Sequence, residues 1–162
     1  MGYTVYARAT DKEKQEKMYA FLEKNFKNYC EVVLGDINHT GIRLAKGTPE
    51  EDGEFGLAYA TGKNTVGFDY QSGTFGMERF YVTEIAKWIS KKVGDGKNYR
   101  YDDGNVKITD SFESKDYIDM LKNDCKYTRI KGLFDKSIDF IKGEIDRLDA
   151  LWNEGGKSNG LL

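Results

Sequence analysis

The chain has 162 residues, of which 25 are Lys or Arg, 27 are Asp or Glu, and 14% are aromatic. This length suits a single domain whose core needs no disulfides or bound metals for stability. Because both charge signs are spread along the chain, there is no basic module, and duplex nucleic acid is not an expected partner. Two cysteines are too few for a disulfide scaffold, and no apolar run is long enough to predict a membrane span.

The first residues lack a basic start followed by an apolar run, so the sequence predicts no signal peptide. Together with the low cysteine count, this favours a reduced protein in the cytoplasm. The composition is rich in Lys, Asn, Tyr and Asp and contains one Pro. Such usage is typical of AT-rich bacterial or phage genomes.

The N-terminal part of the chain predicts strands around one helix. Residues 3–9 alternate apolar and polar side chains, as a half-buried strand does. The stretch Thr10-Asp11-Lys12-Glu13 is a capping box and predicts a helix whose apolar residues continue to Tyr29. Short apolar runs at 30–34 and 42–45 predict two more strands.

The middle of the chain predicts a hairpin, a glycine-containing connection and a second helix. Residues 54–61 and 65–70 alternate in the manner of two paired strands. A polar segment at 71–76 leads into a helix predicted over 77–93. Gly94 follows as a residue that commonly ends helices.

The C-terminal part predicts a second hairpin and then helices. Asp103-Gly104 joins alternating segments at 98–102 and 105–109, which is a strong turn signal. Helices are predicted near 115–124 and over 132–152. The order of elements favours an α+β fold: a mainly antiparallel sheet with helices packed on one face and a helical C-terminal third. We expect one domain over 1–152 and a flexible C-terminal tail over 153–162.

The last predicted helix carries an unusually regular apolar stripe. Its residues are spaced by four and three in alternation, as in a coiled-coil seam: Phe134, Ile138, Ile141, Ile145, Leu148 and Trp152. Two interpretations remain open. The stripe packs on the sheet of its own domain, or it forms the seam of a homodimer through the 134–152 helix.

Several common catalytic sets are absent from the sequence. His39 is the only histidine, and neither cysteine lies in a metal-binding pair or a nucleophile elbow. No Walker motif, dinucleotide fingerprint or calcium loop occurs. The sequence therefore leans away from an enzyme and predicts no catalytic residue, metal or cofactor. A small hydrolase using His39 with Asp36 or Thr40 is the remaining catalytic hypothesis.

One stretch suggests a ligand site, because it joins a predicted strand to a predicted helix through glycines and hydroxyls. Glycines let a ligand approach the backbone, and free N–H groups at a helix start bind anions. Glu78 opposes this, since its charge repels an anion, and the alternative is a simple connector. The predicted ligand-binding residues are Tyr70, Ser72, Gly73, Thr74, Phe75, Gly76 and Arg79, with the strand cations Arg8, Arg43 and Arg100.

Two non-catalytic functions follow from these features. The first is capture or sequestration of a small nucleotide-like anion, with aromatic side chains stacking on a base and arginines binding phosphate. The second is a protein–protein inhibitor or immunity-type protein that acts through an acidic loop at 50–54 and a tyrosine-rich surface. The partner is accordingly a nucleotide-like small molecule or a protein target.

Overall fold

The structure is a computed structural model, which describes residues 4–35, 42–49, 55–61, 72–102, 105–109, 115–128 and 130–158. The elements within these ranges are β1 (Thr4–Ala9), α1 (Lys12–Asn25), a π-helix (Cys30–Leu34), β2 (Ile42–Pro49), β3 (Phe55–Thr61), α2 (Ser72–Val93), β4 (Gly94–Asp102), β5 (Asn105–Thr109), α3 (Lys115–Cys125) and α4 (Leu133–Ser158).

The five described strands form one sheet in the order β2-β3-β1-β4-β5, and each neighbouring pair is antiparallel. Helices α1 and α2 contact the sheet, while α3 and α4 contact α2. The predicted α+β class, with a mainly antiparallel sheet, helices on one face and a helical C-terminal third, is confirmed. The hairpin joining β4 to β5 is also where the Asp103-Gly104 signal places it.

The core lies between β1 and α2. Ala7 and Ala9 of β1 are completely buried, as are Tyr81, Ile85 and Ile89 of α2. Small alanine side chains on the central strand let the larger residues of α2 fill the space above it, which is how interiors reach close packing. The alternation predicted for residues 3–9 therefore places the small side chains of β1 on the face against which α2 packs.

The end of α2 is held against β1 by the backbone itself. Thr10 donates its main-chain N–H to the Val93 carbonyl oxygen at 2.9 Å. Gly94 pairs with Ala9, and a Cβ at Gly94 would overlap the main-chain oxygen of Arg8. The φ angle of Gly94 is not in the left-handed region. This glycine is needed for close approach between the two strands, and not for the helix-ending conformation that the sequence suggests.

The capping prediction is displaced by one residue. Asp11 is the N-cap of α1, and its side chain accepts a hydrogen bond from the Lys14 main-chain N–H at 2.8 Å. Thr10 cannot cap α1 because the structure uses it to join β1 to the end of α2. The helix then ends at Asn25, so that buried Tyr29 lies beyond it.

The strand predicted at 30–34 is wrong, because the segment is a π-helix that ends at Leu34 and is capped by Gly35 with φ +85°. Val32 is exposed, whereas Val33 and Leu34 pack against the core. A five-residue apolar run is too short to show whether its period is that of a strand or a helix. In the structure, the π-helix contacts α4, which lies far along the chain, and such long-range contacts are not visible in the sequence of the segment.

Other boundaries also differ from the prediction. β2 continues to Pro49 and is the outermost described strand on its side of the sheet, a position that tolerates proline because outward N–H groups there have no strand partner among the described residues. The predicted strand at 65–70 lies outside the described residues. α4 continues to Ser158, so the first six residues of the predicted tail at 153–162 are helical. The apolar stripe of α4 has its main contacts with α2, α3 and the π-helix, and not with the sheet.

We expect Gly94→Ala to lower the free energy of unfolding by about 1–3 kcal/mol, the usual cost of forcing an extra group into a packed interior. Gly143→Ala on α4 is the matched control, because a Cβ there meets nothing within 4 Å. Removing a helical glycine at an open position should stabilise the protein by about 0.5–1 kcal/mol. Urea unfolding of both variants measures the difference. Equal effects of the two changes would contradict the close approach of β1 and β4.

Candidate functional site

The predicted anion-binding loop is not a loop in the structure. Ser72, Gly73, Thr74, Phe75 and Gly76 form the beginning of α2, five residues ahead of the predicted helix start. Gly76 is buried, and a Cβ there would overlap Leu121 Cδ2 of α3. The glycine therefore serves the crossing of two helices, which explains its presence without a ligand. Tyr70 lies outside the described residues.

The residues that follow Gly76 also belong to the helix-packed interior. Met77 and Glu78 are fully buried, and Arg79 is half-buried. The main-chain oxygen of Arg79 accepts a hydrogen bond from Thr83 Oγ1 at 2.8 Å. A buried carboxylate beside Arg79 makes this stretch a poor place for an anion, because like charges repel more strongly away from water. The structure thus gives no support to the start of α2 as the ligand site.

The opposite face of the sheet presents a different group of predicted residues. Because side chains alternate along a strand and Ala7 and Ala9 face the helices, Tyr6 and Arg8 lie on the outer face. Both are half-buried. In the register of the sheet, Tyr6 is paired with Tyr99 of β4 on one side and Ala58 of β3 on the other.

Arg43 shares this outer face by register. Arg43 of β2 pairs with Ala60 of β3, which in turn pairs with Thr4, two residues before Tyr6. Arg8 pairs with Gly56 on the same face. Two of the predicted cations, together with two tyrosine positions, are thereby brought to one side of the sheet.

The remaining predicted cations are elsewhere. Arg100 is adjacent to Tyr99 on β4 and is paired with Lys107, so it lies on the helix-bearing face of the sheet. Arg79 is on α2. The described members of the predicted ligand-binding set therefore lie in three places: the outer face of the sheet, its helix-bearing face and the start of α2. The sequence alone does not reveal which strand residues share a face.

The strand between the two outer-face arginines carries only small residues on this side. The outer-face positions of β3 are Gly56, Ala58 and Ala60. β1 and β2 flank β3, so they lie about 10 Å apart, and the Arg8 and Arg43 positions are offset by about 14 Å along the strands. The small residues of β3 therefore lie between the two cationic positions in the register of the sheet. From the sequence, Gly56 is a glycine inside a strand pattern, which indicates a bulge or a close ligand approach, whereas Ala58 and Ala60 carry no such signal.

Other chemistry-bearing groups have structural explanations. Burial, followed by the nearby Asp124 carboxylate, raises the pKa of Cys125 to about 11, so its thiol stays protonated at neutral pH. The pKa of Asp149 is lowered by hydrogen bonds from Lys92 Nζ at 2.6 Å and Trp88 Nε1 at 2.9 Å, which tie α2 to α4.

Within the described ranges, no group of three His, Cys, Asp or Glu residues is placed to hold a metal. His39, Asp36, Thr40 and the acidic loop at 50–54 lie outside those ranges.

A partly buried charged pair connects α4 to the end of α1. Arg147 Nη2 donates to Glu144 Oε1 and to the main-chain oxygen of Asn25, the last residue of α1. The carbonyls at a helix end lack partners within the helix, and Arg147 supplies one. Glu144 is 3% exposed, and its burial raises its pKa, although the hydrogen bond and charge of Arg147 act in the opposite direction. The pair positions the junction between α1 and the π-helix.

No protein-family model matches the chain, and neither the curated proteins nor the solved structures that were searched contain a match. None of the helices in the described part of the chain combines the length and the apolar character that crossing a membrane requires. The geometry of the chain itself is therefore the basis for its functional interpretation.

Glu144 makes stability depend on pH in a specified direction. Its pKa in the folded protein lies above the ordinary value of 4.5, so its contribution to stability is complete below that pH and is lost as pH rises through the folded pKa. We expect the unfolding free energy of the wild type, relative to Glu144→Gln, to fall as the pH rises above 4.5. Urea unfolding at a series of pH values measures this difference.

Arg147→Met provides the matching test on the same carboxyl. Because this variant removes the hydrogen bond and charge that lower the pKa of Glu144, the loss of the stability that Glu144 contributes should extend to higher pH. A relative stability that instead rises with pH in the wild type would show that the ion pair outweighs the burial of Glu144.

Proposed function

We propose that the protein binds a small nucleotide-like anion on the outer face of its sheet, without chemical turnover. The observation that carries this proposal is that β1 turns its alanines toward the helices and its Tyr and Arg side chains to the other side of the sheet. Ala7 and Ala9 are buried beneath the helices, which leaves Tyr6 and Arg8 on the other side, in register with Tyr99 and near the row that holds Arg43. Arginine and tyrosine are the residue types that bind phosphates and stack on bases.

The small residues of β3 support a ligand of this shape. A planar base needs a surface without projecting side chains, and Gly56, Ala58 and Ala60 supply such a strip between the two arginine-bearing strands. A phosphate at either end of the strip would lie near a cationic position. A flat strip with a cationic position at each end suits a ligand that has a planar base and a phosphate. Mononucleotides and cyclic nucleotides belong to this class.

Binding without turnover is the form of this proposal that the described groups favour. The thiol of Cys125 is buried and protonated, and Glu144 is engaged by Arg147. Neither lies on the outer face of the sheet. A free, buried cysteine also suits the cytoplasm, which we propose as the compartment. The inhibitor hypothesis, which depends on the acidic loop at 50–54, remains a prediction because that loop lies outside the described residues.

A thermal-shift scan tests the proposal with adenosine and guanosine mono- and diphosphates, their cyclic monophosphates and a dinucleotide, each at about 1 mM. A ligand with a dissociation constant near 10 μM would stabilise the fold by about 2.7 kcal/mol. At this chain length, the melting temperature should rise by about 5–10 °C.

Arg43→Ala should reduce that rise by about half, because loss of one charge-assisted hydrogen bond weakens binding about tenfold. Arg100→Ala is the matched control: the same residue type in the same sheet, placed by register on the other face. It should leave the rise unchanged. The proposal fails if no member of the panel stabilises the protein, or if both arginine variants lose the same fraction of the shift.

A further inference from the structure

The hairpin of β4 and β5 has its apolar positions on the side of the sheet that faces away from the helices. On β1, the buried residues Ala7 and Ala9 face the helices, and Tyr6 is on the outer face. Tyr6 is paired with Tyr99 of β4, which is itself paired with Ile108 of β5. Residues that are directly paired across antiparallel strands share a face, so Tyr99 and Ile108 are outer-face positions.

The rest of the hairpin follows the same pattern. Side chains alternate along a strand, so Tyr101 and its partner Val106 are outer-face positions too. The positions on the helix side are all polar: Asn98 with Thr109, Arg100 with Lys107, and Asp102 with Asn105. Among the described elements, β4 is the one that has extensive contacts with β5. The hairpin patch, defined as Tyr99, Tyr101, Val106 and Ile108, is therefore an apolar and aromatic surface that the helices do not cover.

The charged positions of the outer face are arginines. Arg8 of β1 and Arg43 of β2 belong to this face, whereas Asp102 is on the helix side. Among the residues that are paired in the described sheet, no Asp or Glu is an outer-face position. Aromatic positions beside arginines, without carboxylates among them, are complementary to bases that are joined by a phosphate.

The small-residue strip of β3 and the hairpin patch lie on the two sides of β1. Both β3 and β4 are neighbours of β1, so they lie about 10 Å apart. Arg8 is on the strand between them, about 7 Å along β1 from Tyr6. One planar base covers only one of these two surfaces, and the outer face therefore has room for a second base beyond β1.

We infer that the site binds two bases joined by a phosphate, with one base over the β3 strip, the other over the hairpin patch, and the linking phosphate near Arg8. This inference rests on the proposed function, because it assigns a larger ligand to the same face. Dinucleotides and single-stranded nucleic acids share this chemistry, since their bases can be splayed apart and stacked on aromatic side chains. Duplex bases are paired and stacked on one another, so a duplex does not fit this arrangement.

Calorimetric titration of the whole chain with two matched pairs of probes tests the inference. The pairs are AMP with ApA, and GMP with GpG, in which each dinucleotide has two nucleosides joined by one phosphate. In the pair that binds more tightly, the dinucleotide should bind at least about tenfold more tightly than the mononucleotide, because a second base stacks on an aromatic position. The mononucleotide carries more negative charge, so a site that recognises charge alone would give the opposite order.

Tyr99→Leu tests where the second base binds. Leucine keeps an apolar side chain on the strand but removes the flat ring, so the affinity ratio of dinucleotide to mononucleotide should fall below about threefold. Tyr99→Phe keeps the ring and should preserve the ratio. Tyr127→Leu is the matched control, because Tyr127 is 78% exposed in the turn after α3, away from the sheet. A general loss of stability would weaken both ligands alike and would leave the ratio unchanged.

A hexanucleotide of the same base distinguishes the two sources of such a ligand. Binding at least as tight as that of the dinucleotide indicates a single strand, whose chain continues beyond the site at both ends. Binding about tenfold weaker or less indicates a free dinucleotide. Both results agree with a site for two linked bases.

The remaining outcomes separate this inference from the proposed function. If neither pair of probes binds, the proposed function fails and the inference fails with it. If a mononucleotide and its dinucleotide bind equally, the proposed function stands and the second base is excluded. A ratio that survives in Tyr99→Leu, or that falls equally in Tyr127→Leu, excludes the hairpin patch as the place of the second base.

Discussion

The contact between α2 and β1 is the constraint on which the rest of the structure depends. It brings the centre of a helix onto the central strand, and it needs small groups on the strand side. Ala7 and Ala9 supply them, and Gly94 lets the chain turn directly from α2 into β4 beside the backbone of Arg8. Once these residues face the helices, strand alternation places Tyr6 and Arg8 on the outer face. The candidate ligand site is thus a geometric consequence of how the core is packed.

The alternation in residues 3–9 and the Asp103-Gly104 turn could be predicted from sequence, because both signals are local. The start of α2 could not be predicted, because Gly76 resembles a flexible connector in the sequence. Its meaning depends on Leu121, which lies 45 positions later and fills the space beside it. The π-helix at 30–34 was missed for a similar reason, since a short apolar run is ambiguous until its long-range contacts are known.

In the candidate site, too, the residue types could be predicted from the sequence, whereas their arrangement could not. Arginines and tyrosines in strands could be recognised as ligand-binding types, but their faces depend on registers set by distant pairings. Arg43 and Arg8 share a face through Ala60, Thr4 and Gly56, whereas Arg100 does not. The α4 stripe was visible as a seam. Which of its residues are buried was decided by α2 and α3, and not by the spacing itself.

The C-terminal helix has two separate roles in this account. Its buried side stabilises the core, and Arg147 supports the end of α1.

The central claim is that the outer face of the sheet, and not the start of α2, meets a nucleotide-like anion. Amide chemical-shift mapping with the nucleotide that gives the largest thermal shift tests this claim most directly. The account predicts that perturbations concentrate at Tyr6, Arg8, Arg43 and Ala58, with the amides of residues 72–79 little changed. Perturbations concentrated at 72–79, with none on the outer-face strand residues, would contradict it.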